Sequence, residues 1–356
     1  MGKEIKHILD FEEMNASSLP SVGGKNANLG RMIGFGIRVP PGFAVGTHSY
    51  LSFILHAGIK DKISEALSHV NLDDRKSLDE SSAQVQALIR ETSMPEDIKG
   101  AIKEGYSCLC EKCCMETIPV AVRSSATAED LPTASFAGQH ETFLWVEGGK
   151  QVVESVQKCW ASLYTPRAIS YRMRNNFPHE KVLMSVGVQK MVNSRVAGVM
   201  FTLNPLNGDP SKIVIEGSWG LGESVVSGSV TPDKFVVDKV ILDILERSVG
   251  SKAEEYILDK ETQQVVKHET DKKKQDVPCL SDEEIINLAR IGKAIEHHFH
   301  QPQDIEWAFE EDIDPPENLF ILQTRQETVW SSREAEPIRT ESSYMSYLAN
   351  RIIEGW

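Results

Sequence analysis

Three short stretches carry residue types that can handle a polyphosphate. The first runs from Val120 to Thr142, where a β-type run ends in a lone arginine, Arg123. Small hydroxyl residues follow, then a segment rich in Ala, Ser, Thr and Gly. In such a loop the backbone N–H groups can lie against phosphate oxygens, because no bulky side chain blocks the approach. Gly138 permits backbone angles that other residues avoid. The Arg123 guanidinium can meet phosphate through two parallel hydrogen bonds.

The second stretch is Gly23-Gly24-Lys25, a turn with a helix expected from Asn26 onward. Lys25 then sits near a helix N-terminus, where N–H groups and the dipole favour phosphate. The string is not a P-loop, because G-x-x-x-x-G-K-[ST] is missing. Taken alone it also reads as a surface turn. The third stretch, Pro302 to Gln326, reads as two antiparallel strands around an acidic turn. Asp304 and Glu306 share one face of their strand, as do Gln323 and Arg325, because strand side chains alternate. Two carboxylates and an amide oxygen suit Mg²⁺, which prefers oxygen and takes few ligands from protein. The same residues fit a cross-strand ion pair on a solvated face.

The elements that must position these groups follow from composition and pattern. The chain has 356 residues, enough for two to three domains or one large two-lobed unit. No apolar run approaches the ~20 residues of a membrane span, and the first residues lack the apolar core of a secretory signal. A formal charge of −14 argues against general nucleic-acid binding. An acidic chain can still bind an anion by gathering a few basic residues locally, often with a divalent metal. Cys108, Cys110, Cys113 and Cys114 crowd together in a helical context, with Cys110 and Cys114 on one face. Their spacing is not that of zinc knuckles, and reduced helix cysteines in a cytoplasmic protein are expected.

Val39-Pro40-Pro41-Gly42 reads as a rigid turn into a strand, and residues 48–116 as helices. Another helical region covers 151–175 and carries Arg167 and Arg172, the latter read as an exposed helix arginine. A second lobe is expected from about residue 183. Its first strand holds Gln189, either a nucleotide contact or the one polar residue of a buried strand. The glycines of 218–228 do not spell G-x-G-x-x-G, which rejects a dinucleotide fold. Residues 246–277 read as a solvated β-ribbon with a surface lysine run. Ser281 and Glu284 form a capping-box pattern opening a helix that ends near His297-His298-Phe299-His300. A His metal site there has no acidic or Cys neighbour in sequence to support it.

From about Asn15 to Arg325, these blocks together resemble the ATP-binding domain of the phosphoenolpyruvate synthase, pyruvate phosphate dikinase and rifampicin phosphotransferase family. The resemblance implies an α+β ATP-grasp fold, with ATP held between lobes at 1–185 and 186–330 and an amphipathic tail at 331–356. It implies that Lys25 and Arg123 bind phosphate, Gly138 and Thr142 belong to the covering loop, Arg167 lies near the phosphates and Gln189 at the nucleotide. Glu306, Gln323 and Arg325 would hold ATP and its metal, with Mg²⁺ on Glu306 and Gln323. Asp304 matches as well. Arg123, Glu306 and Arg325 are the expected catalytic groups.

Enzymes of this family also carry a histidine, in a Thr-x-Gly-Gly-x-x-x-His-type motif, that receives phosphoryl from ATP. This sequence has no such string. One reading is an ATP-binding subunit that works with a separate histidine-bearing partner and a small acceptor such as phenol, as in phenylphosphate synthase. A second is the ATP-binding domain of a phosphoenolpyruvate synthase or rifampicin phosphotransferase, with a pyruvate-like or antibiotic acceptor. A third is a non-catalytic ATP-sensing module, which would require loss of phosphate or metal residues that are all present. The resemblance implies attack at the β-phosphorus, leaving AMP.

Overall fold

In a computed structural model, the chain builds two antiparallel sheets with helices around them. The structure describes residues 6–127, 130–131, 134–135, 141–259, 262 and 264–330. Gly138 and the tail at 331–356 lie outside the described residues.

The first half contains β1 (Ile8–Asp10), α1 (Leu19–Gly34), β2 (Gly42–Val45), α2 (Thr47–His56), α3 (Lys60–Ser68), α4 (Arg75–Glu91), α5 (Glu96–Lys112) and β3 (Val120–Ala126). A two-residue hairpin, β4 (Asp130–Leu131) and β5 (Ala134–Ser135), precedes β6 (Thr142–Val146), α6 (Gly149–Ser162), α7 (Pro166–Arg174) and β7 (Met184–Lys190). Then come β8 (Ser194–Phe201), β9 (Lys212–Trp219), α8 (Glu223–Val226), β10 (Asp233–Asp238) and β11 (Ile244–Ser248). A ribbon of β12 (Glu254–Asp259) and β13 (Gln264–Glu269), α9 (Lys272–Gln275), α10 (Asp282–Phe299), β14 (Gln303–Glu310) and β15 (Leu319–Gln326) complete the order.

The first sheet runs β1-β2-β7-β3-β6 and the second β11-β10-β9-β8-β14-β15. Strand β7 crosses residue 185, where the sequence places the change of lobe, yet it pairs with β2 and β3 of the first sheet. The change of sheet therefore falls after Lys190. An apolar run such as Met184-Ser185-Val186-Gly187-Val188 fits either sheet equally well, and only its long-range pairing decides.

Helices α2 to α7 bury one face of the first sheet around Phe53, Val122, Trp160 and Val186. A second core joins Val22, Leu29 and Met32 of α1 to Met200, Ile305, Trp307 and Ile321 of the second sheet, with α10 adding Ile285, Leu288 and Ile295. Helix α1 therefore stands between the two sheets. Ser281 caps α10 in the expected capping box, accepting from Glu284 N–H while Glu284 accepts from Ser281 N–H.

Two sequence expectations change. Helix α5 ends at Lys112, and Cys114 has φ 55°, so Cys110 and Cys114 do not share a helix face. All six cysteines are free, and no metal-holding group of His, Cys, Asp or Glu occurs among the described residues. Arg172 is not an exposed helix arginine: it is 1% exposed. Its Nε donates to His179 Nδ1 at 2.8 Å, and its guanidinium sits over the Tyr164 ring.

That placement has a pH consequence. Burial first, and then the Arg172 charge, push His179 down to about 4, while Glu180 pulls weakly the other way. A histidine in an unfolded chain titrates near ~6.5. Between these values the unfolded state binds more protons, so stability declines as pH falls from ~6.5 toward ~4. His179→Gln, which keeps an acceptor for Arg172, is expected to remove that part of the slope in urea midpoints measured at pH 7, 6 and 5. An unchanged slope would contradict the assignment.

Candidate active site between the sheets

The site begins with a break in α1. Gly23 has φ 72° and ψ 170°, so the helix proper restarts at Gly24 and Lys25 falls in its first turn. A Cβ on Gly23 would run into the Ser125 carbonyl, and the left-handed φ independently favours glycine there. Buried Asn26 then pins the helix to the first sheet. Its N–H donates to Ser125 Oγ at 3.4 Å, and its Nδ2 donates to Val22 O at 3.0 Å and Ser185 Oγ at 3.1 Å. Gly187 on β7 leaves room for the Asn26 amide. On the other side of α1, Asn28 Nδ2 donates to Thr324 O on β15 at 3.1 Å.

Arg123 is the middle residue of β3, paired in register with Gly187 on one side and Thr142 on the other. Its side chain reaches across to the second sheet. Nη2 donates to Glu306 Oε2 at 2.6 Å and to Gln323 Oε1 at 3.0 Å, and Nη1 donates to Leu322 O at 3.3 Å. Glu306 faces Gln323 directly across the β14–β15 ladder, and Asp304 faces Arg325. These are the shared strand faces expected from alternation. The ladder slips between Glu306 and Trp307, which leaves Leu322 as the extra residue of a bulge beside the site. Asp304 is held by Arg325, whose Nε and Nη2 lie 2.7 and 2.6 Å from Asp304 Oδ2.

The two neighbouring carboxyls are driven apart. Burial alone would raise Glu306, but Arg123, with Lys25 and Arg325 adding to it, outweighs burial and holds Glu306 below the usual carboxylate range. Burial raises Asp304, with Glu306 and Glu327 adding to the lift and Arg325 opposing it.

Lys25, Asn26, Arg123, Ser124, Gln189 and Gln323 line one narrow cleft between the sheets. Gln189 Nε2 is buried there with no hydrogen-bond partner among the described residues, whereas Ser124 Oγ, also unpartnered, lies on the opposite face of β3 from Arg123, toward the helical core. Such orphans are uncommon in folded proteins and are satisfied by water or ligand. Thr142 is exposed opposite Arg123. Arg167 is exposed on α7 and is not part of the cleft lining.

The Glu306 and Gln323 oxygens converge on a single cationic nitrogen. An all-oxygen pair with that convergence fits Mg²⁺, which completes its shell with phosphate and water.

The architecture is α+β, with a basic residue of one sheet bonded to a carboxylate of the other. Comparison with known families places it further. Residues 19–345 match the model of the pyruvate phosphate dikinase AMP/ATP-binding domain, and the chain belongs to that family. It is 48% identical to a probable phosphoenolpyruvate synthase of Staphylothermus marinus, over 93% of this chain and 42% of that protein. It is 44% identical to the phosphoenolpyruvate synthase of Aeropyrum pernix, over 94% and 44% respectively. A probable phosphoenolpyruvate synthase of Methanocaldococcus jannaschii is 45% identical over 91% of this chain and 27% of its own length. The chain thus spans less than half the length of these curated relatives.

Removing the Arg123 charge leaves the partly buried Glu306 without its main counter-ion. Arg123→Met is expected to raise the Glu306 carboxyl pKa, read by ¹³C NMR of the side-chain carboxyl. An unmoved Glu306 titration would show that Arg123 does not hold it.

Proposed function

We propose that the cleft between the sheets binds ATP and that the chain is the ATP-binding part of a dikinase-type phosphotransferase. One observation carries this reading. Lys25 and Gln189 line the same cleft as Arg123, whose guanidinium meets the oxygens of Glu306 and Gln323 from the other sheet, and Gln189 Nε2 has no hydrogen-bond partner there among the described residues.

In this reading Gln189 supplies a hydrogen bond to the nucleotide. Arg123 exchanges its carboxylate partner for phosphate oxygens, and Lys25 in the first helical turn adds a second positive charge. Glu306 and Gln323 would hold Mg²⁺, which supplies neutralisation of the phosphate charge when bound. Arg325, tied to Asp304, lies at the same edge and adds to the field. Such transfer depends mainly on positioning and charge neutralisation. A histidine outside this sequence attacks the β-phosphorus in line, the α,β P–O bond breaks, and AMP leaves. The pyrophosphoryl-histidine then loses its terminal phosphate to water, and the phosphoryl group that remains passes to the acceptor. Gly138 and the segment toward Thr142 are assigned the covering loop, and Arg167 a place near the phosphates.

The names of the relatives favour pyruvate over phenol as acceptor, and thus a phosphoenolpyruvate synthase over a phenylphosphate synthase. The histidine is assigned either to a longer form of the same polypeptide or to a separate subunit. Free thiols favour a cytoplasmic setting, and among the described residues no helix is long and apolar enough to cross a membrane.

Given the histidine-bearing domain and Mg²⁺, label from β-labelled ATP is expected on its histidine. Glu306→Ala is expected to slow that labelling by on the order of 10²–10³-fold. Undiminished labelling in the variant would refute the assignment of Glu306.

A further inference from the structure

On the helical side of the first lobe, away from the cleft, α2, α3, α7 and the segment 179–183 enclose a second cavity of about 550 Å³. Its walls are mostly apolar, with Ile54, Ile63, Leu67 and Met173 among them. One end is polar: the Tyr50 and Tyr164 hydroxyls share a hydrogen bond of 2.9 Å, and His179 stands beside them.

Buried Arg172 lies directly behind that end. Each neighbour that fixes it lines the cavity: His179 accepts from its Nε, and its guanidinium sits over the Tyr164 ring. Nη1 and Nη2 have no hydrogen-bond partner, and no carboxylate pairs with Arg172 among the described residues. Leaving a buried charge without a counter-ion is costly. Glu180, the one acid in the lining, is exposed. His179, pushed down to about 4, is neutral at physiological pH and brings no counter-charge. The fold has thus enclosed a guanidinium that lacks an anion next to an apolar chamber that can take a ligand body.

We infer that this cavity is a binding site for a small amphiphilic carboxylate. Its apolar body would rest against Ile63, Leu67 and Met173, and its carboxylate would meet the buried Nη nitrogens of Arg172, which do not themselves line the cavity, once Tyr164 and His179 part. Ligand sites of this kind pair an apolar lining with a few convergent polar groups, and a guanidinium recognises a carboxylate through two parallel bonds. None of the lining residues belongs to the cleft between the sheets, so the two sites do not overlap.

Calorimetry on the full chain with octanoate, and with 1-octanol as its uncharged counterpart, tests the inference. Saturable one-to-one binding of octanoate is expected, at least tenfold tighter than octanol. Arg172→Met should fold, because an apolar side chain replaces an unpaired buried charge, and should lose the preference for octanoate over octanol. Leu67→Trp, which fills the chamber and leaves Arg172 in place, should lose binding of both. The inference is overturned if wild-type protein shows no saturable octanoate binding. It is also overturned if Leu67→Trp binds octanoate undiminished, or if a folded Arg172→Met keeps the wild-type preference.

Discussion

One side chain ties the two sheets together at the site. Arg123 projects from the middle of β3 in the first sheet and donates to Glu306, Gln323 and the Leu322 carbonyl of the second. A charge-assisted contact of this kind, partly withdrawn from water, is worth more than a surface ion pair. It also fixes where the sheets meet, because an arginine fork is directional. The surroundings are shaped to deliver it. Gly187 opposite Arg123 makes room for Asn26, Asn26 anchors α1, and the bulge at Leu322 places a carbonyl within reach.

In the proposed function a triphosphate would use the same nitrogen atoms, so nucleotide binding and the inter-sheet contact would compete for one group. Phosphate oxygens would have to offer Arg123 more than Glu306 and Gln323 do. A cation taking over those two oxygens would lower that threshold, since they would no longer face an empty position. The net charge of −14 makes this local arrangement more telling. Against an acidic background, Lys25, Arg123 and Arg325 act within one small region, and Glu306 lies below the usual range because of them.

Much of the site was legible in the sequence because it rests on local periodicity. Alternation puts Asp304 and Glu306 on one face of their strand and Gln323 and Arg325 on one face of theirs, and the observed register then sets Glu306 opposite Gln323 and Asp304 opposite Arg325. The glycine pair before Lys25 and the Ser281–Glu284 cap are equally local signals. What escaped depends on distant parts of the chain. Strand β7 carries no mark of which sheet it joins. Arg172 looks like any helix arginine until α2 and the 179–183 segment close around it. Lys252, fully buried against Asp233 at 2.5 Å, sits in a stretch whose polarity reads as solvated ribbon.

The most direct test of an ATP cleft organised around Arg123 is calorimetric titration of Mg·ATP into the full chain and into Arg123→Met. The expected result is saturable one-to-one binding that weakens at least tenfold, about 1.4 kcal/mol, in the variant. Equal affinity in a folded Arg123→Met protein would contradict the account and move the nucleotide away from the contact between the two sheets.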